Sequence, residues 1–255
     1  MLIDKLKNAA LERAADKKIS DVRIGLGYTG VMLDDGSAGV AYTFRNQAGH
    51  CCSALHNEQL AESSAADVVD RIFSGNLIER TVGLAAANGL FNVDRLEERL
   101  QGYRTEHGDL LDTITITKED RVGMVGFFAP ILSTLKKRAG EVFIFEKNPD
   151  RAAGLYSDEQ AKDLLPSCSV AIITATSIIN DTFANIAQAA RNSRVIAVLG
   201  ASTPLVPDIF KDYGVTHLSG VIITDAASIL RVISEGKGMR FFKGYIKKVN
   251  VVVSS

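Results

Sequence analysis

The sequence contains no tryptophan and only three cysteines among its 255 residues. Cys51, Cys52 and Cys168 cannot all pair with one another, and they are too few for the disulfide framework of a small secreted domain. This cysteine usage is typical of a reducing compartment. We therefore expect a cytoplasmic protein.

The sequence also lacks a long apolar run and an excess of either charge. No stretch approaches the roughly 18 apolar residues that cross a bilayer, and acids stand among the bases of residues 1–15, unlike in a signal peptide. The formal net charge is −1, with no basic stripe of the kind that phosphate backbones require. We expect neither a membrane nor a nucleic acid as a partner.

Hydrophobic residues make up 46% of the chain and charged residues 23%, which are ordinary values for a globular protein. Such a chain can bury a sizeable core without a metal or a disulfide. At about 150 residues per domain, its length corresponds to one large domain or two modest ones. We expect two.

The N-terminal part has the pattern of an α+β unit. Apolar residues at helical spacing predict a first helix over residues 3–14, and alternating runs on either side of Asp35-Gly36 predict a hairpin. Two more helices are expected after it, the first ending at Gly75 and the second at Asn88-Gly89. Residues 94–121 are rich in charge, so we place the domain boundary near 110, with domains at 1–110 and 111–255.

The C-terminal part has a different rhythm, in which short apolar runs rich in β-branched residues alternate with helical segments. Strands that are apolar throughout predict a parallel sheet covered on both faces. Right-handed crossovers then favour a Rossmann-like, doubly wound topology. The five predicted strands are residues 122–128, 142–145, 170–174, 195–199 and 221–224.

In open parallel sheets, ligands bind beyond the carboxyl ends of the strands. The first such loop contains Gly126 and Phe127, but it lacks a complete G-x-G-x-x-G motif, and a tight strand-to-helix turn explains it equally well. Glu146 ends the second strand, 23 residues after Gly123, near the offset of about 20 residues at which a carboxylate can bind ribose hydroxyls. Its alternative interpretation is a solvated residue in a turn.

Two later loops carry clusters of polar side chains. Capping of the next helix would require only Asp181 or Thr182, so it leaves the other polar groups of the third loop without a role. In the fourth loop, two prolines stiffen a segment that offers two hydroxyls beside a glycine, and a proline-fixed turn is the alternative. The candidate ligand-binding residues of these loops are Thr176, Ser177, Asn180, Gly200, Ser202 and Thr203.

Four soft metal ligands lie close together in the sequence: His50, Cys51, Cys52 and His56. Adjacent residues of a strand point to opposite faces, so the two cysteines would not both reach one ion unless the backbone turns there. Structural zinc sites usually show C-x₂₋₄-C spacing instead. We interpret these thiols as buried or idle and predict no metal site.

These stretches resemble a known prokaryotic family, domain of unknown function 364, described as "putative heavy-metal chelation". The resemblance covers nearly the whole chain, with one departure: Ala201 stands where the family's G-P-S-T-P stretch has proline. The matching segments are residues 27–31, 39–41, 87–88, 125–128, 145–146, 176–182, 200–205 and 218–225.

The resemblance implies an N-terminal domain similar to the enolase N-terminal fold, followed by a Rossmann-like domain with partial similarity to methyltransferases, and one cleft shared by both. It also implies a role in condensation or hydrolysis during the synthesis of flavin-, pterin- or siderophore-like metal chelators, or in metal handling near cobalamin synthesis.

Our hypothesis is an enzyme that acts on a small heteroaromatic or chelating metabolite between the two domains. Glu146 would bind hydroxyls or act as a base, because acid–base catalysis requires a titratable group within reach. Tyr28, Thr29 and Asn88 would reach over from the first domain. Their alternative roles are hairpin packing for the tyrosine and threonine, and a helix C-cap for the asparagine.

Two other functions stay open on the sequence alone. One is a non-catalytic protein that binds or delivers a metal or a metal chelate. The other is methyl transfer from S-adenosylmethionine, for which the first loop and Glu146 would bind the cofactor. The sequence identifies no cofactor, and it leaves open whether the chain forms a homodimer.

Overall fold

The computed structural model describes residues 1–47, 59–92, 98, 100–147 and 154–253. Its N-terminal half begins with α1 (Leu2–Leu11), followed by β1 (Ile19–Ile24), β2 (Tyr28–Leu33) and β3 (Ala38–Tyr42), and then by α2 (Ala65–Asp70) and α3 (Leu77–Phe91). The three strands form an antiparallel sheet in the order β1-β2-β3. The predicted Asp35-Gly36 hairpin joins β2 to β3, and Gly25-Leu26-Gly27 separates β1 from β2.

The helix that was expected to stop at Asn88-Gly89 continues through these residues to Phe91. Gly89 lies where α3 packs directly on β3, since a Cβ atom on Gly89 would be 3.2 Å from the Gly39 nitrogen, and one on Gly39 would be 2.2 Å from the Ala85 oxygen and the Gly89 nitrogen. The C-cap role considered for Asn88 is therefore wrong, and the cap residue is Asn92.

The C-terminal half contains a seven-stranded sheet. Its strands are β4 (Arg104–His107), β5 (Arg121–Val125), β6 (Glu141–Phe145), β7 (Val170–Thr174), β8 (Val195–Leu199), β9 (His217–Ile223) and β10 (Ile246–Val252). The helices are α4 (Leu110–Thr113), α5 (Ala129–Arg138), α6 (Asp158–Leu164), α7 (Thr176–Ile179), α8 (Phe183–Ala189), α9 (Pro207–Lys211) and α10 (Ala226–Ser234).

The strand order is β4-β10-β9-β8-β7-β5-β6. The five strands from β5 to β9 are parallel, and β10 and β4 add an antiparallel edge. The predicted α/β fold with a mostly parallel sheet is confirmed. Strands β4 and β10 were not expected, and β4 lies on the N-terminal side of the proposed boundary near 110, which stays a prediction.

Both faces of this sheet are buried, as the apolar runs predicted. Val122, Met124 and Ile172 pack in a cluster on one face with α4 and α5. Val125 and Ile173 face the opposite side, where they belong to the same hydrophobic core as α1, α2 and α3. The core of the protein is thus continuous from the N-terminal helices to the large sheet.

Helix α10 makes a second connection between the halves by packing on the small sheet. A Cβ atom on Gly30 of β2 would be 2.7 Å from Leu230 and 2.8 Å from Ile233. Asp225 caps this helix, accepting a hydrogen bond from the Ser228 N–H at 3.0 Å. Within the described ranges, no helix is long and apolar enough to cross a membrane.

Candidate functional site

The strand order of the parallel part reverses once, between β5 and β7. Strand β6 lies on one side of β5, and β7, β8 and β9 follow one another on the other side. At such a switch point the two neighbouring connections leave on opposite faces of the sheet, which opens a crevice at the carboxyl ends of the strands. The residues at this switch point are Gly126, Phe127, Thr174 and Thr176, and we call the place where they meet the switch-point crevice.

Gly126 is the central residue of this crevice. Its N–H donates to the Phe145 oxygen of β6 at 2.8 Å, and a Cβ atom would be 2.9 Å from the Thr174 Cβ of β7. Its φ of 90° lies in the left-handed region that favours glycine. The predicted glycine is therefore required by the backbone, which brings the loop after β5 against both neighbouring strands.

The hydroxyl groups after β7 have different environments. The Thr174 and Thr176 Oγ1 atoms are 3.0 Å apart and both side chains are half-buried, whereas the buried Ser177 donates to the Thr174 carbonyl at 2.6 Å. Asn180 Oδ1 accepts the Thr182 hydroxyl at 2.7 Å. The threonine pair can therefore meet a ligand at the crevice, while Ser177 serves the turn.

Glu146 follows β6, directly after the residue whose carbonyl binds Gly126. It is half-buried, and its N–H donates to the Tyr156 oxygen at 3.0 Å. Phe127, on the other side of the turn, is partly buried against the core on the α5 face of the sheet. The predicted residues that follow β5, β6 and β7 thus lie next to one another at the carboxyl ends of these strands.

The predicted residues that follow β8 lie in a different environment. We call the contact of β2, β3 and α3 with residues 200–205 the seam. Ser202 Oγ accepts the Tyr42 N–H at 2.8 Å, and Asn88 Nδ2 donates to both the Val40 and Ser202 carbonyls, at 3.0 and 3.1 Å. These buried groups fasten the two halves together.

Thr203 and Thr29 are also buried, and they and Gly200 form hydrogen bonds within the chain. Thr203 donates to the Ser219 carbonyl at 3.0 Å, and the Thr29 hydroxyl is 2.9 Å from that of Thr43. Gly200, with a φ of 134°, donates its N–H to Ser219 O at 3.1 Å. Their polar atoms are used within the chain.

Tyr28 belongs to an aromatic cluster at the same boundary. Its ring lies 5.1 Å from that of Phe242 and 6.1 Å from that of Tyr42, the latter in an edge-on arrangement. Burial raises the pKa of its phenol to about 12. The Tyr28 hydroxyl is therefore neutral at physiological pH.

A small cavity remains at the seam, with a volume of about 10 Å³. That is room for about one water molecule. A metabolite would not fit there unless the halves moved apart. Its lining residues include Val40, Asn88, Asn92, Ala201, Thr203 and Val221.

Metal ligands do not cluster in the part of the chain that the structure describes: no group of three or more His, Cys, Asp or Glu could hold an ion there. His50, Cys51, Cys52 and His56 lie outside the described residues. Cys168 is buried, and burial raises the pKa of its thiol to about 11.

Thr174 is a crevice residue that the sequence analysis did not single out. It is the last residue of β7, where a β-branched side chain is typical of a strand. Its contact with Gly126 depends on the pairing of β7 with β5 across about 50 residues. The one available signal was that a hydroxyl ended an otherwise apolar run.

Two family profiles described as "Putative heavy-metal chelation" match the sequence, one over residues 109–252 and the other over residues 7–91. An uncharacterized protein of Methanocaldococcus jannaschii is 25% identical over 265 residues, covering 99% of this chain and 98% of that protein.

Two crystal structures of proteins of unknown function from the DUF364 family are similar along their whole length. The one from Pyrococcus horikoshii has a TM-score of 0.85 and 28% identity, covering 99% of this chain and 100% of the other. The one from Desulfitobacterium hafniense has a TM-score of 0.81 and 22% identity, covering 98% of both chains, and supports the fold alone.

Proposed function

The chain belongs to the family described as "Putative heavy-metal chelation", and from this premise we propose that it binds and chemically modifies a small chelating metabolite, or the precursor of one, at the switch-point crevice. The observation that carries the proposal is the single reversal of strand order between β5 and β7. Gly126 and the hydroxyls of Thr174 and Thr176 lie at that reversal.

The exposure of the residues at the carboxyl ends of the strands supports this location. At the carboxyl end of β8, Ser202 and Thr203 are 2% and 4% exposed and bonded to other parts of the chain. At the ends of β5, β6 and β7, by contrast, Gly126, Glu146 and Thr176 are half-buried. The greater exposure of the second set supports it as the one that a ligand would meet without separation of the halves.

The chemistry of these residues suits orientation and proton transfer. The two threonine hydroxyls can each donate and accept hydrogen bonds, so they can position a carbonyl, carboxylate or hydroxyl of the ligand. Glu146 would act as the general base or acid in a condensation or hydrolysis, because it is the carboxylate that follows the strand next to the crevice. Asn180 would complete the polar wall.

A second function is favoured by the metal-ligand pattern. A metal already held by an organic chelator would need no ligand cluster of the protein, and no cluster of three or more His, Cys, Asp or Glu occurs among the residues that the structure describes. The protein would then bind and deliver the chelate without changing it. His50, Cys51, Cys52 and His56 are the residues through which direct metal binding would still operate.

The experiment begins with protein purified without added metal, whose small-molecule and metal contents are measured by mass spectrometry. The retained metabolite is then titrated into Thr176→Val and Glu146→Gln. Removal of a neutral hydrogen bond costs about 0.5–1.5 kcal/mol and of a charged one about 1.5–3 kcal/mol, so Kd should rise roughly 2- to 13-fold and 13- to 160-fold respectively.

Thr105→Val on β4 and Glu119→Gln before β5 are the matched controls, since both positions are exposed and outside the crevice. Equal affinity in all four variants would refute the crevice site. Turnover of the metabolite by the wild-type protein supports the enzyme, and stoichiometric metal that enters and leaves with an unchanged chelator supports the carrier. Metal lost on Cys51 or His56 substitution would indicate direct binding.

Methyl transfer remains a separate proposal with its own test. Calorimetric titration with S-adenosylmethionine and its demethylated product would show saturable binding, weakened in Glu146→Gln, if Glu146 held the ribose. Absence of heat with folded protein would remove this function and leave the other two. A cytoplasmic location and a homodimer are likewise proposals, to be examined by fractionation and by light scattering.

A further inference from the structure

The basic side chains of the protein are concentrated in one late segment of its sequence. Residues 231–248 contain six Lys or Arg and one Glu, a net charge of +5, so the remainder of the chain has a net charge of −6 for the total of −1. Lys237 pairs with Glu235 and Lys248 with Asp109, and the other four cations form no ion pair with the described residues. The overall charge therefore conceals a local excess of cations.

The turn that follows α10 holds an aromatic side chain in solvent. The Phe241 N–H donates to the Gly238 carbonyl at 2.8 Å, and the next residue, Phe242, is fully buried with its ring 5.1 Å from that of Tyr28. Phe241 itself is 54% exposed, so its exposure belongs to an anchored turn. The exposed cations near it in this turn are Arg240 and Lys243.

The turn between β1 and β2 presents a second apolar side chain. Leu26 is 61% exposed, although the backbone on both sides of it is fixed. The Gly25 N–H donates to the Tyr28 carbonyl at 3.0 Å, and the Gly27 carbonyl accepts the Thr43 N–H at 3.1 Å. The leucine is therefore held outward, away from the core.

The two turns lie side by side. A Cβ atom on Gly236, just after α10, would be 3.3 Å from the Leu26 side chain. Lys237 Nζ, one residue further, lies 5.4 Å from the centre of the Phe241 ring. We call this surface the basic patch, and its residues are Leu26, Lys237, Arg240, Phe241 and Lys243.

We propose that the basic patch binds the surface of an anionic lipid bilayer, with Phe241 and Leu26 in the headgroup region and the three cations beside lipid phosphates. Exposed apolar side chains combined with Lys and Arg are typical of proteins that lie on a membrane surface. The remainder of the chain, with its net negative charge, is repelled by the same lipids. This charge asymmetry orients the patch towards the bilayer.

The composition of the patch favours lipid over an acidic protein as the partner. Two of its three cations are lysines, and lysine is depleted in protein–protein interfaces. The expectation of no membrane partner rested on the charge of the whole chain and on the lack of a spanning segment, and neither describes a single charged surface.

Flotation with lipid vesicles tests this proposal on the purified protein. We expect binding to vesicles that contain about one third phosphatidylglycerol and much weaker binding to vesicles of phosphatidylcholine alone. Raising the salt concentration from about 50 mM to about 500 mM should release the protein, because salt screens the attraction between exposed charges.

Substitutions in the patch locate the contact. Arg240→Gln combined with Lys243→Gln should weaken binding roughly 25-fold, at about fivefold for each cation, and Phe241→Ser should weaken it about 5- to 10-fold. The matched controls, which should leave the affinity nearly unchanged, lie outside the patch on exposed residues: Lys136→Gln combined with Lys137→Gln on α5, and Phe73→Ser. Thermal unfolding shows that each variant is folded.

The proposal fails if the two kinds of vesicle bind equally, or if the patch variants lose no more affinity than their controls. It is also overturned if soluble polyglutamate binds in a patch-dependent way and vesicles do not, which would indicate an acidic protein as the partner. A dimer in light scattering that Phe241→Ser dissociates would instead assign the patch to contact between copies of the chain. None of these readouts depends on the ligand of the switch-point crevice.

Discussion

Protonation of the Asp120 carboxylate should make the protein measurably less stable in acid. The carboxylate, 5% exposed, accepts hydrogen bonds from the Thr117 N–H at 2.8 Å, from the Ser169 hydroxyl at 2.7 Å and from the Arg194 guanidinium at 2.8 Å. Burial alone would raise the pKa of this carboxyl, but the three donors together lower it from 3.8 to about 2.

The size of the effect follows from this pKa. A fall from 3.8 to about 2 corresponds to about 2 kcal/mol of stability, since one unit is worth 1.36 kcal/mol. The Arg194 side chain is 47% exposed, so screening by solvent reduces the expected value to about 1–2 kcal/mol. Because the pKa is depressed in the folded state, this stability is present above pH 4 and is lost as the pH falls towards 2.

Asp120→Asn removes the charge with little change of shape. We expect it to lower the unfolding free energy by about 1–2 kcal/mol at pH 6, or the melting temperature by roughly 2–8 °C, and the difference from wild type to shrink between pH 4 and pH 2. Urea and thermal unfolding followed by circular dichroism would measure this. Glu119→Gln, with an exposed side chain one residue away, controls for the loss of one negative charge.

The reasoning is refuted if Asp120→Asn is as stable as Glu119→Gln at pH 6. It is also refuted if the destabilisation is the same at pH 6 and at pH 3, because a loss of packing would not follow the titration of a carboxyl group. Only a difference that declines with pH assigns the effect to the charge.

Three further predictions concern packing and reactivity. Gly39→Ala should destabilise the protein by more than the 1–3 kcal/mol of ordinary overpacking, since its Cβ would overlap the backbone of α3, whereas Gly75→Ala, with nothing within 4 Å, should be nearly neutral in urea unfolding. Ser202→Ala should cost about 1–3 kcal/mol, measured in the same way, because it leaves the partly buried N–H of Tyr42 without the Ser202 acceptor; no loss would mean that the seam bond is dispensable. Cys168→Ala should leave the number of thiols that react with Ellman's reagent at pH 8 unchanged in native protein and lower it by one in urea, since the buried thiol has a pKa of about 11.

Strands β5 to β8 could be predicted from sequence because each is mainly apolar and buried on both faces. Strand β9 was predicted only over its end, because its first part contains His217 and Ser219. The strands at the sheet's antiparallel edge could not be predicted. All four residues of β4 (Arg104–His107) are polar or charged, and three of them are exposed to solvent. The segment therefore has no strand pattern. It becomes a strand only by pairing with β10, where His107 lies opposite Val249. That pairing joins segments about 140 residues apart, which no local pattern reveals.

For the candidate site, too, the local sequence predicted the loops, whereas the environment of each hydroxyl depends on residues distant in the sequence. Strand ends and hydroxyl-rich loops were visible in the sequence, and this was sufficient to select the loops after β5, β7 and β8. Whether a given hydroxyl meets solvent or a backbone partner depends on the other half of the protein. Ser202 and Thr176 look equivalent in sequence, yet Ser202 accepts the N–H of Tyr42, 160 residues away, and Thr176 bonds only within its own turn in the described contacts.

The position of α3 is our reason for proposing the switch-point crevice, and not the seam, as the ligand site. The helix packs on α7 and, through Asn88, on residues 200–205, so it covers the carboxyl ends of β8 and part of β7. At the end of β5, the three atoms nearest to a Cβ atom on Gly126 all belong to Thr174 of β7. A shared cleft would require the seam to open, at the expense of several buried hydrogen bonds. A crevice bordered by α3 requires no such motion, and for this reason substitutions at Thr176 should change ligand affinity, whereas substitutions at Ser202 should change stability.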